Sequence, residues 1–70
     1  MKRVDESDLY ELPFGTKIRV IWHNSPYHSK NAEYYGVIFG GKIGYEDGLT
    51  DDVKEIAESI YNDSCMVYVI

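Results

Sequence analysis

The chain has little that could form covalent or metal cross-links, and it has no apolar run long enough to cross a membrane. Its 70 residues include one cysteine, Cys65, which excludes an internal disulfide and suits a reducing compartment. No stretch approaches the roughly 18–20 consecutive apolar residues of a membrane span. The first basic residues are followed by acidic ones rather than by an apolar signal core. We therefore expect a cytoplasmic protein without membrane contacts.

Basic residues are also scarce. The chain carries 7 Lys and Arg against 12 Asp and Glu, for a net charge of −5. The charge is uneven, because residues 15–45 sum to +3 whereas residues 46–70 sum to −6. A polyanion would be repelled by the molecule as a whole, which disfavours direct nucleic-acid binding.

Apolar residues make up 44% of the chain and ten residues are aromatic, which is enough for the core of a single domain over residues 1–70. Hydrophobic periodicity predicts an α+β fold of order β-β-β-α-β. We expect either a small four-stranded, mainly antiparallel sheet or a partly open SH3-like barrel, with one amphipathic helix. Residues 1–11 are predicted to form a short helical turn or a flexible, irregular arm. The predicted strands are Thr16–Trp22, Tyr34–Phe39, Lys42–Tyr45 and Cys65–Ile70, and the predicted helix is Thr50–Tyr61.

Gly40 and Gly41 predict a tight hairpin turn that places Ile38 opposite Ile43. The same register places Tyr45 opposite Gly36, where its ring can cover the bare backbone.

Two of the predicted strands, 34–39 and 65–70, are apolar at nearly every position. Such runs are typical of central strands that are covered on both faces. One helix covers only one face of the sheet. The second face must then close as a barrel, be covered by residues 1–14, or pack against another subunit, so a homodimer through this face is one expectation.

The predicted helix has an apolar stripe, with Thr50 as its N-cap, and an acidic outer face. Pairs such as Asp51/Glu55 and Glu55/Glu58 repel each other by a few tenths of a kcal/mol. This repulsion favours a functional interpretation, in which the acidic face binds a partner with a basic surface. The apolar stripe comprises Val53, Ile56, Ala57, Ile60 and Tyr61, and the predicted acidic face comprises Glu46, Asp47, Asp51, Asp52, Glu55 and Glu58.

A long loop over residues 23–33 provides a second candidate surface. It combines large amphipathic and adaptable side chains of the kind that dominate recognition surfaces. Its predicted partner-binding residues are Trp22, His23, Tyr27 and His28.

Catalytic and metal-binding interpretations are weak. His23 and His28 are two ligands where a zinc site needs four, and Cys65 begins an apolar strand without a nearby basic group. The glycines at 40 and 41 lie between two strands, not between a strand and a helix as phosphate-binding loops require. We therefore expect no catalytic residues, no metal and no cofactor.

The profile resembles the small accessory proteins that phages and mobile elements direct against host machinery. We expect a non-enzymatic interaction protein that binds, and modulates or inhibits, a larger host protein with a basic, nucleic-acid-handling site. The alternative is a small-barrel module that binds a nucleotide or single-stranded nucleic acid. Its candidate residues are Arg19, Trp22, Tyr27, Tyr34, Tyr35 and Lys42.

Overall fold

The computed structural model describes all 70 residues, and it shows an α+β domain in which one antiparallel sheet carries two helices. The six strands lie in the order β1-β6-β2-β3-β4-β5, and every neighbouring pair is antiparallel. Neither helix is long and apolar enough to cross a membrane. The elements are β1 (Lys2–Val4), α1 (Glu6–Glu11), β2 (Lys17–Trp22), β3 (Ala32–Phe39), β4 (Lys42–Tyr45), β5 (Thr50–Asp52), α2 (Val53–Tyr61) and β6 (Cys65–Val69).

The predicted hairpin and its register are confirmed. Ile38 pairs with Ile43 and Gly36 pairs with Tyr45. Gly40 and Gly41 both have positive φ, 51° and 77°, which is the backbone of a type I′ turn. A side chain at Gly36 would lie 3.0 Å from Cδ1 of Tyr45, so the ring does cover this glycine.

The prediction of a four-stranded sheet or SH3-like barrel is wrong, because the sheet is open and has six strands. The two additional strands, β1 and β5, lie at opposite edges. Each has three residues and a mostly polar sequence, so neither shows the apolar alternation from which strands are predicted. Short, charged strands are a common way to protect sheet edges from pairing with other chains.

The predicted start of the main helix is also wrong. Thr50 is not the N-cap, since residues 50–52 pair with β4 and the helix begins at Val53. Asp52 occupies the cap position without a side-chain capping bond, and its carboxylate instead pairs with Lys42. At the other end Tyr61 is 76% exposed, although the stripe predicted it to be buried.

Residues 1–11 form β1 and α1. Asp5 caps α1 through its carboxylate, which accepts the Asp8 N–H at 2.8 Å. Leu9 is buried in the core, and α1 packs beside α2. Both helices therefore cover the same face of the sheet.

The core lies between that face and the helices. It is built by Ile18, Val20 and Val67 from the central strands, together with Leu9 and Ile56 from the helices. The prediction that β3 is covered on both faces is wrong. Its exposure alternates, and Tyr35, Val37 and Phe39 remain 37–40% exposed on the second face. That face, which no element of this chain covers, is called the open sheet face.

Candidate functional site

A cleft with a volume of about 200 Å³ lies on the helix side of the sheet, between the ends of β2, β3 and β4 and the turn that leads to β5. We call it the aromatic–acidic cleft. Its walls combine aromatic rings with two carboxylates, and it joins parts of both surfaces that the sequence predicts. The residues that define it are Trp22, His28, Tyr34, Tyr45, Asp47 and Asp51.

Four rings form a continuous aromatic wall. Trp22 and His28 stack with their centroids 3.9 Å apart and their planes within 2°. His28 meets Tyr34 edge-on at 6.0 Å, and Tyr34 meets Tyr45 at 5.7 Å. Tyr34 pairs with Val20 on the core face, and Tyr45 comes from the neighbouring strand, so strand register places the wall.

The loop after β2 folds back to place His28. The Asn31 N–H donates to the Trp22 carbonyl at 2.7 Å, which closes the loop onto the end of the strand. Inside it, the Ser25 hydroxyl bonds Nδ1 of His28 at 3.0 Å. The hydroxyl also accepts the Tyr27 N–H at 3.1 Å. The loop is thus organised around one serine, which fixes the histidine against the indole.

Two carboxylates complete the cleft. The Tyr45 hydroxyl donates to Oδ2 of Asp51 at 2.8 Å, and Oδ1 of Asp47 accepts the Leu49 N–H at 3.0 Å. Burial, together with the hydrogen bond to Asp51, raises the pKa of Tyr45 well above its usual value. The phenol therefore stays protonated and acts as the donor, while the second oxygen of each carboxylate accepts no hydrogen bond from another side chain.

The predicted acidic face does not form one surface. Asp47 and Asp51 line the cleft, whereas Asp52, Glu55 and Glu58 line a shallow depression at the start of α2. Asp52 also pairs there with Lys42. Glu46 is exposed beside Tyr35, whose carbonyl accepts its N–H.

The predicted aromatic loop is divided as well. Trp22 and His28 line the cleft, and Tyr27 projects into solvent with 90% exposure. His23 turns away, with its Nε2 3.1 Å from Oδ1 of Asp63 after α2. The two histidines thus have different partners, and no three His, Cys, Asp or Glu side chains cluster in a way that could hold a metal ion.

The structure adds acidic residues that the sequence analysis did not select. α1 and α2 pack side by side, and the five acidic residues of the two helices form what we call the acidic helical layer. Lys54 is the only basic residue on either helix. The Asp5 cap, followed by an acidic first turn, was the available signal for α1. The layer comprises Glu6, Asp8, Glu11, Glu55 and Glu58.

The open sheet face has a different chemistry. Arg3, Tyr68, Arg19 and Tyr35 form one cross-strand row through β1, β6, β2 and β3. The Arg19 guanidinium pairs with Glu33 and lies 6.0 Å from the centre of the Tyr35 ring.

The residues predicted for the alternative, nucleic-acid-binding function do not form one platform. Arg19, Tyr35 and Lys42 lie on the open sheet face. Trp22 and Tyr34 lie in the cleft on the opposite side of the sheet, because strand residues alternate between faces.

Cys65 lies in the core rather than in a reactive site. It is fully buried, and burial together with the charge of Asp51 raises its pKa to about 12. A thiol in such surroundings stays protonated at neutral pH and is a poor nucleophile.

Comparisons of the chain with models of protein families, with curated proteins and with solved structures find no match.

Proposed function

We propose that this protein is a small acidic interaction protein. It binds a basic, nucleic-acid-handling surface on a larger protein, and it modulates or inhibits that larger protein. The supporting observation is the acidic helical layer. Its carboxylates come from two helices that are distant in sequence but adjacent in space. Glu6 and Glu58 line one groove beside the two helices, and Glu55 and Glu58 line the depression at the start of α2. Carboxylates held on rigid elements match the chemistry of a phosphate backbone, which a nucleic-acid-binding site recognises.

One of these charges is unfavourable for its own helix, although Glu6, Asp8 and Glu55 lie in first turns, where the dipole favours negative charge. Glu11 is the last residue of α1, and neither helix has a basic residue in its last turn. Negative charge at a helix C-terminus interacts unfavourably with the helix dipole. A cation at the same position would stabilise the helix by about 0.3–1 kcal/mol. Glu11 is kept against this cost, which favours a role in binding over a role in stability for that residue.

Such a surface would steer association through charge. Complementary potentials raise association rates more than they raise final affinity, and salt screens them over about 8–10 Å at physiological ionic strength. Binding to the partner should therefore weaken steeply with added salt.

The experiment uses the immobilised protein and nuclease-treated lysate, from which heparin has enriched proteins with basic nucleic-acid-binding sites. The test variant carries Glu55→Gln and Glu58→Gln. The control variant, Ser29→Lys with Val37→Lys, makes the same change in net charge away from the helices. We expect one protein to be retained at low salt by wild type and control but released by the test variant. The binding of nucleic acid by the retained protein should then fall when the wild-type acidic protein is added.

Retention that is equal for wild type and both variants, or a retained protein that still binds nucleic acid unimpeded, would refute the proposal. The comparison with the control matters because any loss of negative charge weakens non-specific attraction to basic proteins. Only a position-dependent loss supports the acidic helical layer as the binding surface.

The row of Arg3, Tyr68, Arg19 and Tyr35 favours a second candidate, the binding of single-stranded nucleic acid on the open sheet face. Aromatic side chains on a sheet stack with bases, and arginines contact phosphates. The test is the anisotropy of a labelled oligonucleotide, which Tyr35→Ala should reduce. Sedimentation equilibrium without nucleic acid would instead detect a homodimer through the same face.

A further inference from the structure

We infer that the aromatic–acidic cleft binds a single basic side chain, a lysine or an arginine, presented by the partner protein. This inference rests on the proposed function and specifies how a basic partner would be recognised. It assigns the specific contact to the cleft and leaves long-range attraction to the acidic helical layer.

The size of the cleft points to a side chain. Sites for drug-sized ligands and cofactors usually measure about 300–1,000 Å³. The cleft, at about 200 Å³, is smaller than that range. It has room for one side chain or a small headgroup and not for a nucleotide.

The charge of the cleft selects the sign of the ligand. Asp47 and Asp51 both line it, and no Lys or Arg does. Phosphate and carboxylate groups are therefore repelled, and a neutral apolar ligand would leave two carboxylates without compensation. A cation instead pairs with the carboxylate oxygens of Asp47 and Asp51 that do not accept hydrogen bonds from Leu49 and Tyr45.

The aromatic wall selects the same class of ligand. Ammonium and guanidinium groups are attracted to aromatic faces, and this attraction grows when water is excluded. Tyr34 and Tyr45 line the cleft and are partly exposed, whereas His28 covers one face of the Trp22 ring. Leu49, which is 66% exposed at its rim, offers apolar contact for the aliphatic stem of lysine or arginine.

The cleft is already organised in the free protein. Hydrogen bonds orient His28 and Tyr45, and the stack with His28 leaves Trp22 only 6% exposed. A preformed site loses little conformational freedom on binding, which raises affinity without new contacts.

The test uses small probes and the fluorescence of Trp22, the only tryptophan in the chain. The probes are N-acetylarginine amide and N-acetyllysine amide. N-acetylcitrulline amide is the control, since it keeps nearly the shape of arginine without its charge. We expect saturable fluorescence changes with dissociation constants in the millimolar range for the basic probes, as suits one ion pair with cation–π contacts. Citrulline should bind at least about tenfold more weakly, and inorganic phosphate should give no saturable change.

The matched variants are Asp47→Asn with Asp51→Asn, and, as a control that removes two negative charges outside the cleft, Glu11→Gln with Glu33→Gln. Both substitutions in the cleft keep an oxygen that accepts the bonds from Leu49 and Tyr45. We expect them to weaken arginine binding about tenfold and the control to leave it unchanged. Amide chemical shifts of the unsubstituted protein, titrated with the arginine probe, should change around the cleft, which makes the test independent of variant folding.

Equal binding of citrulline and arginine, equal affinity of the cleft variant, or no saturable change in either fluorescence or chemical shift would overturn the inference. These outcomes are separable from failure of the proposed function. If the probes do not bind but Glu55→Gln with Glu58→Gln still releases a basic partner, the cleft assignment fails and the acidic helical layer remains.

Discussion

Gly36 is the position at which a single methyl group should be most informative. It lies in the middle of β3, on the face that packs against the core and supports Tyr45. A Cβ at this position would lie 2.8 Å from Cγ2 of Ile43, 2.9 Å from the Gly44 carbonyl oxygen and 3.0 Å from Cδ1 of Tyr45. Ile43 is fully buried and one of the three contacts is backbone, so the strand pair itself would have to shift.

The size of the effect follows from two opposing contributions. Extra carbon in a well-packed core usually costs about 1–3 kcal/mol. Replacing a strand glycine with alanine returns about 0.5–1 kcal/mol, because the unfolded chain loses freedom. We expect Gly36→Ala to lower the free energy of unfolding by about 1–2 kcal/mol. For a domain of this size that corresponds to a fall in Tm of about 5–15 °C.

Gly44→Ala is the matched control. It adds the same methyl group on the open sheet face, where the nearest atom is Cε1 of Phe39 at 2.7 Å. Phe39 is 38% exposed, and its ring can turn away, so we expect stability within about 0.5 kcal/mol of wild type. Urea and thermal unfolding, followed by circular dichroism and tryptophan fluorescence, measure both variants. If Gly36→Ala is as stable as Gly44→Ala, the argument from close packing is refuted.

Two further predictions concern titratable groups. Because burial raises the pKa of Cys65 to about 12, iodoacetamide should not modify it in the native protein at pH 8. It should react in urea, and native modification at the rate of a free thiol would contradict the assignment to the core. The Asp8 N–H and the Ser7 hydroxyl hold the pKa of Asp5 below its usual value, so the ionised cap stabilises the folded state above the pKa of the unfolded chain. Asp5→Ala should therefore be less stable than wild type at pH 7. The difference in stability should vanish as the pH falls well below about 4. A difference that does not depend on pH would show that the charge of the cap is irrelevant.

The sequence predicts the central part of the fold because that part is encoded locally. Ile18, Val20 and Trp22 alternate with more exposed residues, and all three are buried. Gly40 and Gly41 specify a turn that sets the register of β3 against β4. From that register the contact between Tyr45 and Gly36 follows directly.

The edges of the sheet could not be predicted in this way. β1 and β5 have three residues each, and their sequences carry no apolar pattern. They become strands because β6 and β4 offer unpaired backbone groups beside them. β5 also explains the error at the helix start, since Thr50 looks like an N-cap in sequence but lies in the ladder.

The candidate site, like the fold, could be predicted from the sequence only in part. Composition and charge identified Trp22, His28, Asp47 and Asp51 as functional candidates, because large aromatic and acidic residues can be selected by side-chain type alone, although Trp22 also belongs to the core. That these four line one cleft, while Glu55 and Glu58 join α1 on another surface, depends on contacts between segments far apart along the chain. Side-chain type and local periodicity were therefore determined by the sequence alone. Strand order and helix packing decided which charges share a surface, because only the folded chain brings distant residues within reach of one ligand.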